Sequence, residues 1–295
     1  MNRALIEKLK EAVQEADALM IGAGAGLSTA AGFTYSGERF RRWFGDFAAK
    51  YGFSDMYTGG FWRYENMETF WAYWSRYIWV NRYMDPPKSV YDDLFKLARG
   101  KDYFVLTTNV DHCFQKAGFD KDRLFYTQGD YGLFQCSKPC SQVTWDNEGM
   151  VRDMLLAQGY GIGEGNALTL PEGATPAMAV PTALLPKCPN CGRPLTLNLR
   201  SDDKFVEDAG WHAAAKRYRA FVDGHARDRV VYLEIGVGWN TPGIVKYNFW
   251  NQANENPNAF YTCLNYDDAR LPRELVDRGI GIEGDCAEVI AALIE

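Results

Sequence analysis

Ala18-Leu-Met-Ile-Gly-Ala-Gly-Ala-Gly-Leu-Ser28 is the stretch that decides the fold. Its four apolar residues at 18–21 form a short buried strand. Gly22 to Ser28 follow as a glycine-rich turn, and residues 29–31 can open a helix. Upstream, Leu5, Ile6, Leu9, Val13 and Ala16 recur at helical spacing between Glu and Lys, which predicts an amphipathic helix over 3–16. Helix, strand, glycine turn and helix in that order begin a dinucleotide-binding α/β domain. Glycines let backbone N–H groups approach a pyrophosphate, and a helix N-terminus adds partial positive charge. Tight turns need glycines too, so the position directly after a strand matters more than the cluster itself. The GxGxG spacing, with Ser28 two residues on, is not the GxGxxG of hydride-transfer enzymes.

Further strands are expected at 103–107, 230–235, 259–264 and 280–282, and helices at 90–98 and 211–221 and after Gly284. The 103–107 strand runs into Thr108-Asn109-Val110-Asp111. Polar residues just past a strand's C-terminal end are where open α/β sheets place their chemistry. The 230–235 strand runs into Gly236-Val-Gly238-Trp-Asn240-Thr-Pro242, and the 259–264 strand into Asn265. Residues 40–83 hold 17 of the 43 aromatic residues, which predicts a helical module with its own aromatic core, with a ligand-groove lining as the alternative for a minority of them. Residues 141–187, with Gly159-Tyr-Gly-Ile-Gly-Glu-Gly165 and four prolines from Pro171 to Pro186, read as a β-rich ribbon with a long loop, a lid or docking surface. The expected fold class is α/β: a Rossmann-type parallel-sheet domain from 1–35, 88–132 and 201–295, with a smaller domain made of the helical module (36–87) and a zinc-ribbon module (133–200).

The chain has 295 residues, 47% hydrophobic and 24% charged, the balance of a globular protein. A net charge of −6 offers no basic field for a phosphate backbone, so nucleic acid is not an expected partner. The longest apolar stretch, 18–27, is broken by glycines and too short to span a bilayer, and residues 1–16 show no signal-peptide h-region. Seven cysteines without such a leader predict a reducing, cytoplasmic setting and no membrane partner. Cys136-Ser-Lys-Pro-Cys140 and Cys188-Pro-Asn-Cys191 offer four thiolates in two pairs, the ligand set of a structural zinc site. Four ordinary thiols, or a redox role for Cys188 and Cys191, are the alternatives.

Gly24-Ala25-Gly26-Leu-Ser28-Thr-Ala-Ala-Gly32-Phe resembles the GAGxSxxxGI motif of the sirtuins, and Thr108-Asn109-Val-Asp111 resembles their QNID motif. The cysteine pairs match their zinc ribbon in order. Gly236-Val-Gly238-Trp-Asn240-Thr-Pro242 sits where they carry GTSxxVxP, and Asn265 and Gly284-Asp285-Cys286-Ala-Glu-Val-Ile resemble their adenosine-binding strand and C-terminal end. These features cover 18–294 in the family's order. The resemblance implies NAD as co-substrate, bound in extended form between the two domains, and a structural zinc held by Cys136, Cys140, Cys188 and Cys191. It places Gly24, Ala25, Gly26 and Ser28 around the pyrophosphate, Asn109 by the nicotinamide ribose and Asp111 at the carboxamide. Gly236 and Gly238 border the adenosine half, Asn265 the adenine ribose, and the Cys286 backbone the adenine. Gly32, Thr108, Gln128, Asn240 and Asp285 are further expected NAD-binding positions. Without the family, Asn109 is a strand-end turn residue and Asp111 a helix N-cap.

Three departures carry as much information. Sirtuin deacylases have His-Gly where this chain has Gln128-Gly129, and glutamine cannot act as a base. Of His112, His212 and His225, His112 lies next to Asp111 but in the wrong motif to substitute. Thr34-Tyr35-Ser36-Gly37 replaces Pro-x-Phe-Arg, leaving Tyr35 or Phe40 to shield the nicotinamide site. Gly236-Val-Gly238 lacks the usual Thr and Ser. This pattern resembles the macrodomain-linked class M branch. That resemblance implies mono-ADP-ribosylation of a protein acceptor, a lipoyl-carrying protein similar to the glycine-cleavage H protein, with a macrodomain hydrolase as the reversing partner. Asn109, Gln128 and Asp111 are the expected catalytic residues. A deacylase with unusual chemistry, an NAD hydrolase and an inert NAD-binding sensor are the competing classes. The hydrolases of this type usually carry an effector domain, for which 295 residues are expected to leave no room.

Overall fold

A computed structural model describes residues 2–240 and 242–295; Met1 and Thr241, the latter in the Gly236–Pro242 motif, lie outside the described residues. The chain divides into two units. The first comprises Met1–Gly32, Pro87–Gln128 and Ala209–Glu295, the second Phe33–Pro86 and Gly129–Asp208.

The first unit is built on a six-stranded sheet. Its order is Gly279–Glu283, Phe260–Asn265, Val230–Ile235, Ala18–Ala23, Asp102–Thr107, Leu124–Tyr126, and all neighbours pair in parallel. Numbered along the chain within this unit and read from the Leu124–Tyr126 edge, that is 3-2-1-4-5-6, the doubly wound order. A parallel sheet is covered on both faces, so its strands are buried end to end rather than alternating. The Ala18–Ala23 and Val230–Ile235 strands are buried at every residue. On one face Phe104, Tyr218, Val245 and Phe249 form the core with the Ala209–Gly224 and Lys246–Glu255 helices. The Arg3–Glu15 helix turns Ile6, Leu9 and Val13 inward, and it packs with the Cys286–Ile294 helix on the other side of the unit.

The opening motif departs from expectation in its bounds. The strand continues through Ala23 and the helix runs Ala25–Ala30, so it opens four residues earlier than residue 29. Small residues explain both shifts. Gly22 is in the sheet because a Cβ there would overlap the Phe249 ring and Val245. Gly24 occupies the N-cap with extended backbone and no side chain to offer.

The second unit contains the aromatic module. The Gly37–Tyr51 and Met67–Ile78 helices bury Phe44, Phe47, Trp71, Tyr73 and Tyr77 against one another, with ring centroids 4.6 Å apart for Phe44–Tyr73 and 5.1 Å for Phe47–Tyr73. Packing is therefore the role of most of these rings. Tyr57, Phe61 and Trp62 are the exposed exceptions. A three-stranded antiparallel sheet, Trp145–Asp146, Gly129–Cys136 and Leu195–Leu199, completes the unit together with a two-residue ribbon, Gly161–Ile162 with Leu168–Thr169.

The reading of 141–187 as a ribbon and loop needs correction. A ten-residue helix, Glu148–Ala157, buries Val151, Met154 and Leu155 at helical spacing. The segment is also fastened down by Arg76, whose side chain is fully buried. Its guanidinium pairs with Asp46 at 2.8 Å, donates through Nε to Gln158 Oε1 at 2.8 Å, and reaches the Ala177 carbonyl at 2.9 Å. A buried cation of this kind must be fully paired. Much of this segment is thus part of the folded unit rather than a detachable lid. Among the described residues no helix is long and apolar enough to cross a membrane.

Candidate active site

In a doubly wound sheet the ligand crevice lies outside the strand C-termini where the winding reverses. Here that point falls between Ala18–Ala23 and Val230–Ile235, and the two loops that leave these strands meet there through backbone alone. The Gly24 N–H donates to the Ile235 carbonyl at 3.0 Å and the Gly26 N–H to the Gly236 carbonyl at 2.9 Å. A Cβ on Gly24 would lie 2.7 Å from the Gly236 oxygen, and one on Gly26 would lie 2.6 Å from the Gly236 Cα. Gly236 has φ +61°, a left-handed conformation that favours glycine. These three glycines are needed for loop-to-loop contact as well as for any ligand. Gly236→Ala is expected to cost about 2–4 kcal/mol, from left-handed strain plus overlap. Gly238→Ala, at an exposed position with no atom within 4 Å of a Cβ, should stay within about 1 kcal/mol. Urea melts of the two variants check this, and equal losses would remove the packing account.

On the neighbouring strand, Thr107 sets the next turn. Its hydroxyl donates to the Ala23 carbonyl at 3.0 Å and accepts from the Asn109 N–H at 3.0 Å, while Thr108 N–H also donates to Ala23. Asn109, buried, is thereby aimed back at the glycine loop, and its Nδ2 donates to the Gly24 carbonyl at 3.0 Å. Asp111, also buried, accepts the Cys113 N–H on Oδ1 at 3.0 Å and the Ser28 hydroxyl on Oδ2 at 2.5 Å. Asp111 sits one residue before the helix N-cap, so the plain N-cap reading is corrected: Oδ1 closes a turn onto the Cys113 N–H, and Oδ2 ties the QNID-like turn to the glycine turn. His112, between them, takes a left-handed backbone (φ +65°) as the N-cap of the short Cys113–Lys116 helix.

Tyr91 completes the cluster and was not among the expected site residues. Its hydroxyl lies 3.1 Å from Ser28 Oγ and donates to Asp111 Oδ2 at 3.4 Å, and Asn109 Nδ2 donates to it at 3.3 Å. Burial pushes the phenol far above its ordinary range, reinforced by the Asp111 charge, so it stays a neutral donor. The sequence offered one signal: a tyrosine on the same face as Leu94 and Ala98 of the Val90–Ala98 helix, where an aliphatic residue would serve packing equally well.

The remaining candidates divide. Gln128 follows the edge strand, where the Thr127 N–H donates to the Thr107 carbonyl at 2.9 Å; it is half-buried, and its Nε2 donates to Thr127 Oγ1 at 3.3 Å. Asn265 donates to the Val237 carbonyl at 3.2 Å, tying the loops after two adjacent strands. Asp285 caps the last helix by accepting the Ala287 N–H at 2.8 Å. The Cys286 thiol is buried, and burial pushes it up to about 11, which leaves only its backbone for recognition. Ala25 is exposed at the first position of its helix. Asn240 and Gly238 are exposed. Gly32 has φ +96° and packs toward the Pro87 ring, which makes it a turn residue in this structure.

In the second unit the four expected thiols come together. All four Sγ atoms lie within 4.8 Å of one another, with Cys136–Cys191 at 3.7 Å and Cys140–Cys188 at 3.6 Å. Tetrahedral zinc with bonds of about 2.3 Å holds its sulfurs about 3.8 Å apart. The four thiols gather into one cluster drawn from both motifs, as a shared metal site requires. No disulfide joins the cysteines among the described residues. The knuckle is shaped by the Cys188 N–H donating to the Arg193 carbonyl at 2.7 Å and by Gly192 at φ +72°. A hydrogen bond from the Arg193 backbone brings the Cys191 thiol down to about 7, toward the thiolate a metal requires. The donor set fits a structural zinc.

No family model matches the chain. A protein ADP-ribosyltransferase of Staphylococcus aureus (strain Mu50 / ATCC 700699) is 38% identical over 289 residues, 98% of this chain and 86% of that protein. Solved structures that match over nearly the whole chain include Sir2 homologues. A Sir2 homologue mutant in complex with ADP-ribose aligns with a TM-score of 0.55 at 17% identity, covering 98% of this chain and 94% of the other. A Sir2 homologue–NAD complex aligns with a TM-score of 0.53 at 17% identity, covering 98% and 92%. The chain belongs to the sirtuin-type protein ADP-ribosyltransferases. A second relative, from Fusarium oxysporum f. sp. cubense and named "Probable bifunctional ADP-ribose hydrolase/ADP-ribosyltransferase", is 28% identical over 298 residues; this transferase covers 47% of its length. The sirtuin fold locates the transferase's glycine turn and its Asn109 turn on two adjacent strand ends, next to the winding reversal.

Proposed function

We propose that this enzyme binds NAD across the winding reversal of its sheet, breaks the nicotinamide–ribose bond and transfers ADP-ribose to a protein acceptor, a lipoylated carrier of the glycine-cleavage H type. The observation that carries this reading is the Ser28–Tyr91–Asn109–Asp111 cluster on the C-terminal side of the sheet. NAD supplies an activated glycosidic bond whose rupture leaves positive charge on the ribose. The chain's own residues have to bind, orient and exclude water around that change. The glycine turn and the exposed start of the Ala25–Ala30 helix suit a pyrophosphate. Asp111 is held anionic-side inward by Ser28 and Cys113, the arrangement needed to fix a carboxamide. Asn109 stands between the Gly24 carbonyl and Tyr91, where its amide can orient the ribose. Gly236, Gly238, Asn240 and Asn265 take the adenosine half, with the Cys286 backbone at the adenine.

In the transfer, the C1′–N bond breaks with its electron pair leaving on neutral nicotinamide, C1′ bonds to the acceptor nucleophile, and the nucleophile's proton passes to solvent. Gln128 can hold a ribose hydroxyl or the incoming group but can remove no proton, which disfavours the deacylase pathway, since that pathway needs a base there. The lipoylated acceptor follows from the likeness to the class M branch. The fungal relative's name, joining a hydrolase to a transferase, supports an ADP-ribose hydrolase as the reversing partner.

The test is intact-protein mass spectrometry of one mixture: enzyme, NAD, lipoylated H-type carrier and acetyl-lysine peptide. An ADP-ribose mass shift on the carrier with the peptide untouched is the expected result. Deacetylation with no carrier shift would overturn the reading. Gln128→Ala should lower transfer about tenfold or more, as loss of an oriented hydrogen bond does. Gln128→His is expected not to produce a deacetylase, and a peptide mass loss of one acetyl group would show otherwise.

A further inference from the structure

Glu234 is out of place by composition. It sits near the end of a strand whose other residues are apolar or aromatic, its side chain is fully buried, and it forms an ion pair with Lys246, which is equally buried. The carboxylate is saturated: Lys246 Nζ donates to Oε1, the Tyr261 hydroxyl donates to Oε2 at 2.5 Å, and the Cys263 thiol lies 3.5 Å from Oε1. Trp250 Nε1 in turn donates to the Tyr261 oxygen at 2.9 Å. Taking two charges out of water is expensive, and apolar replacements of such pairs are often as stable or more so. Stability alone therefore gives no reason for the pair.

What lies above the ammonium gives one. Lys246 Nζ is 5.0 Å from the centre of the Trp239 ring and 5.8 Å from that of Trp250. Trp239 belongs to the loop that leaves the Glu234 strand, directly after Gly238, and it is 43% exposed. Its Nε1 donates to Asp268 Oδ2 at 2.7 Å, in the loop that follows Asn265. Arg270 also pairs with Asp268 at 2.7 Å, and its guanidinium carbon lies 5.3 Å from the same indole. The Arg270 charge and the Trp239 N–H hold the Asp268 carboxyl well below the usual range. The indole is thus pinned by a buried cation, an exposed cation and a carboxylate, and it joins two loops that otherwise meet through the Asn265–Val237 hydrogen bond.

We propose that the buried Glu234–Lys246 pair is a positioning element for NAD affinity, holding the Trp239 indole and through it the loops at 236–240 and 266–270 in their binding arrangement. This rests on the reading that these loops take the adenosine half. The pair does not touch the reacting ribose, so it acts on binding and leaves the chemical step alone.

The test uses the full chain with Glu234→Met and Lys246→Met together, which removes both charges, keeps the volume and leaves neither charge orphaned. Binding is read with ADP-ribose by isothermal titration, turnover by nicotinamide release from NAD, and folding by thermal melt. Expected are a weakening of ADP-ribose binding and a rise in KM for NAD, each about tenfold, as for loss of a desolvated cation–aromatic contact, with kcat within about twofold and the melt preserved. Trp239→Leu should reproduce the shift, and the triple variant should add nothing to it, because contacting residues couple. A folded double variant with wild-type affinity, or a fall in kcat at unchanged KM, overturns the proposal. If the double variant does not fold, Trp239→Leu decides: wild-type affinity overturns it. Asn265→Ala separates the underlying reading. Unchanged affinity in that variant removes the adenosine placement, whereas weakened binding there beside a wild-type Glu234/Lys246 double variant refutes the positioning role alone.

Discussion

Asn109→Ala is expected to lower ADP-ribose transfer by about 10²–10³-fold, the usual cost of removing one preorganised donor from a reacting centre. The amide is buried and held by the Gly24 carbonyl and by Tyr91, so it has little freedom to be replaced by water. Its loss also breaks a buried hydrogen bond, worth about 1–2 kcal/mol of stability, so the protein should remain folded. The informative comparison is between nicotinamide release and ADP-ribose binding in the same variant. Binding within a few-fold of wild type with turnover abolished assigns the residue to the chemical step. Full turnover would take Asn109 out of the mechanism, leaving it as a turn residue that links the two strand ends. Tyr91→Phe is a useful companion, because it removes one hydroxyl from the same cluster without changing the packing of the helix.

Removing a zinc ligand should have the larger effect on structure. Structural zinc in small modules contributes about 10–16 kcal/mol of apparent binding energy that is folding energy. Cys188→Ser takes a buried thiolate from the tetrad, and Cys136→Ser would do the same at the end of the central strand of the small sheet. Either variant is expected to lose about one equivalent of zinc by elemental analysis and to show early unfolding of the second unit in hydrogen exchange. The six-stranded sheet should keep its protection. Cys113→Ser, at a buried cysteine outside the tetrad, is the control and should retain zinc. Zinc-free Cys188→Ser protein with wild-type exchange would mean that the thiols are held by packing alone.

Five strands of the parallel sheet are legible because they are short apolar runs closed by glycine or by a polar residue, and the Thr107-to-Asp111 turn because polar residues there interrupt such a run; the three-residue Leu124–Tyr126 edge strand is too short to show any pattern. The tetrad was legible from spacing. The Glu148–Ala157 helix was not: its apolar residues Val151, Met154 and Leu155 have helical spacing, but Gly149, Gly159 and the proline-rich stretch beyond disguise it as a loop. Tyr91 escaped because its partners lie 18 to 63 residues away in the chain, a distance no local pattern reports. The glycine turn was read for its ligand, whereas the structure shows that two of its glycines are also required by Gly236, more than 200 residues on.

That three-glycine contact limits how the protein can be altered. A selection aimed at new nucleotide specificity would gain nothing from diversifying 24, 26 or 236, since almost every member would be discarded for misassembly before its binding was sampled. Gly238 and Asn240, two and four residues further along the same loop, lie open to solvent and impose no such filter. Variation can accumulate there while the scaffold stays intact, so the route by which this active site can acquire new preferences runs through the outer loop, with the inner one fixed.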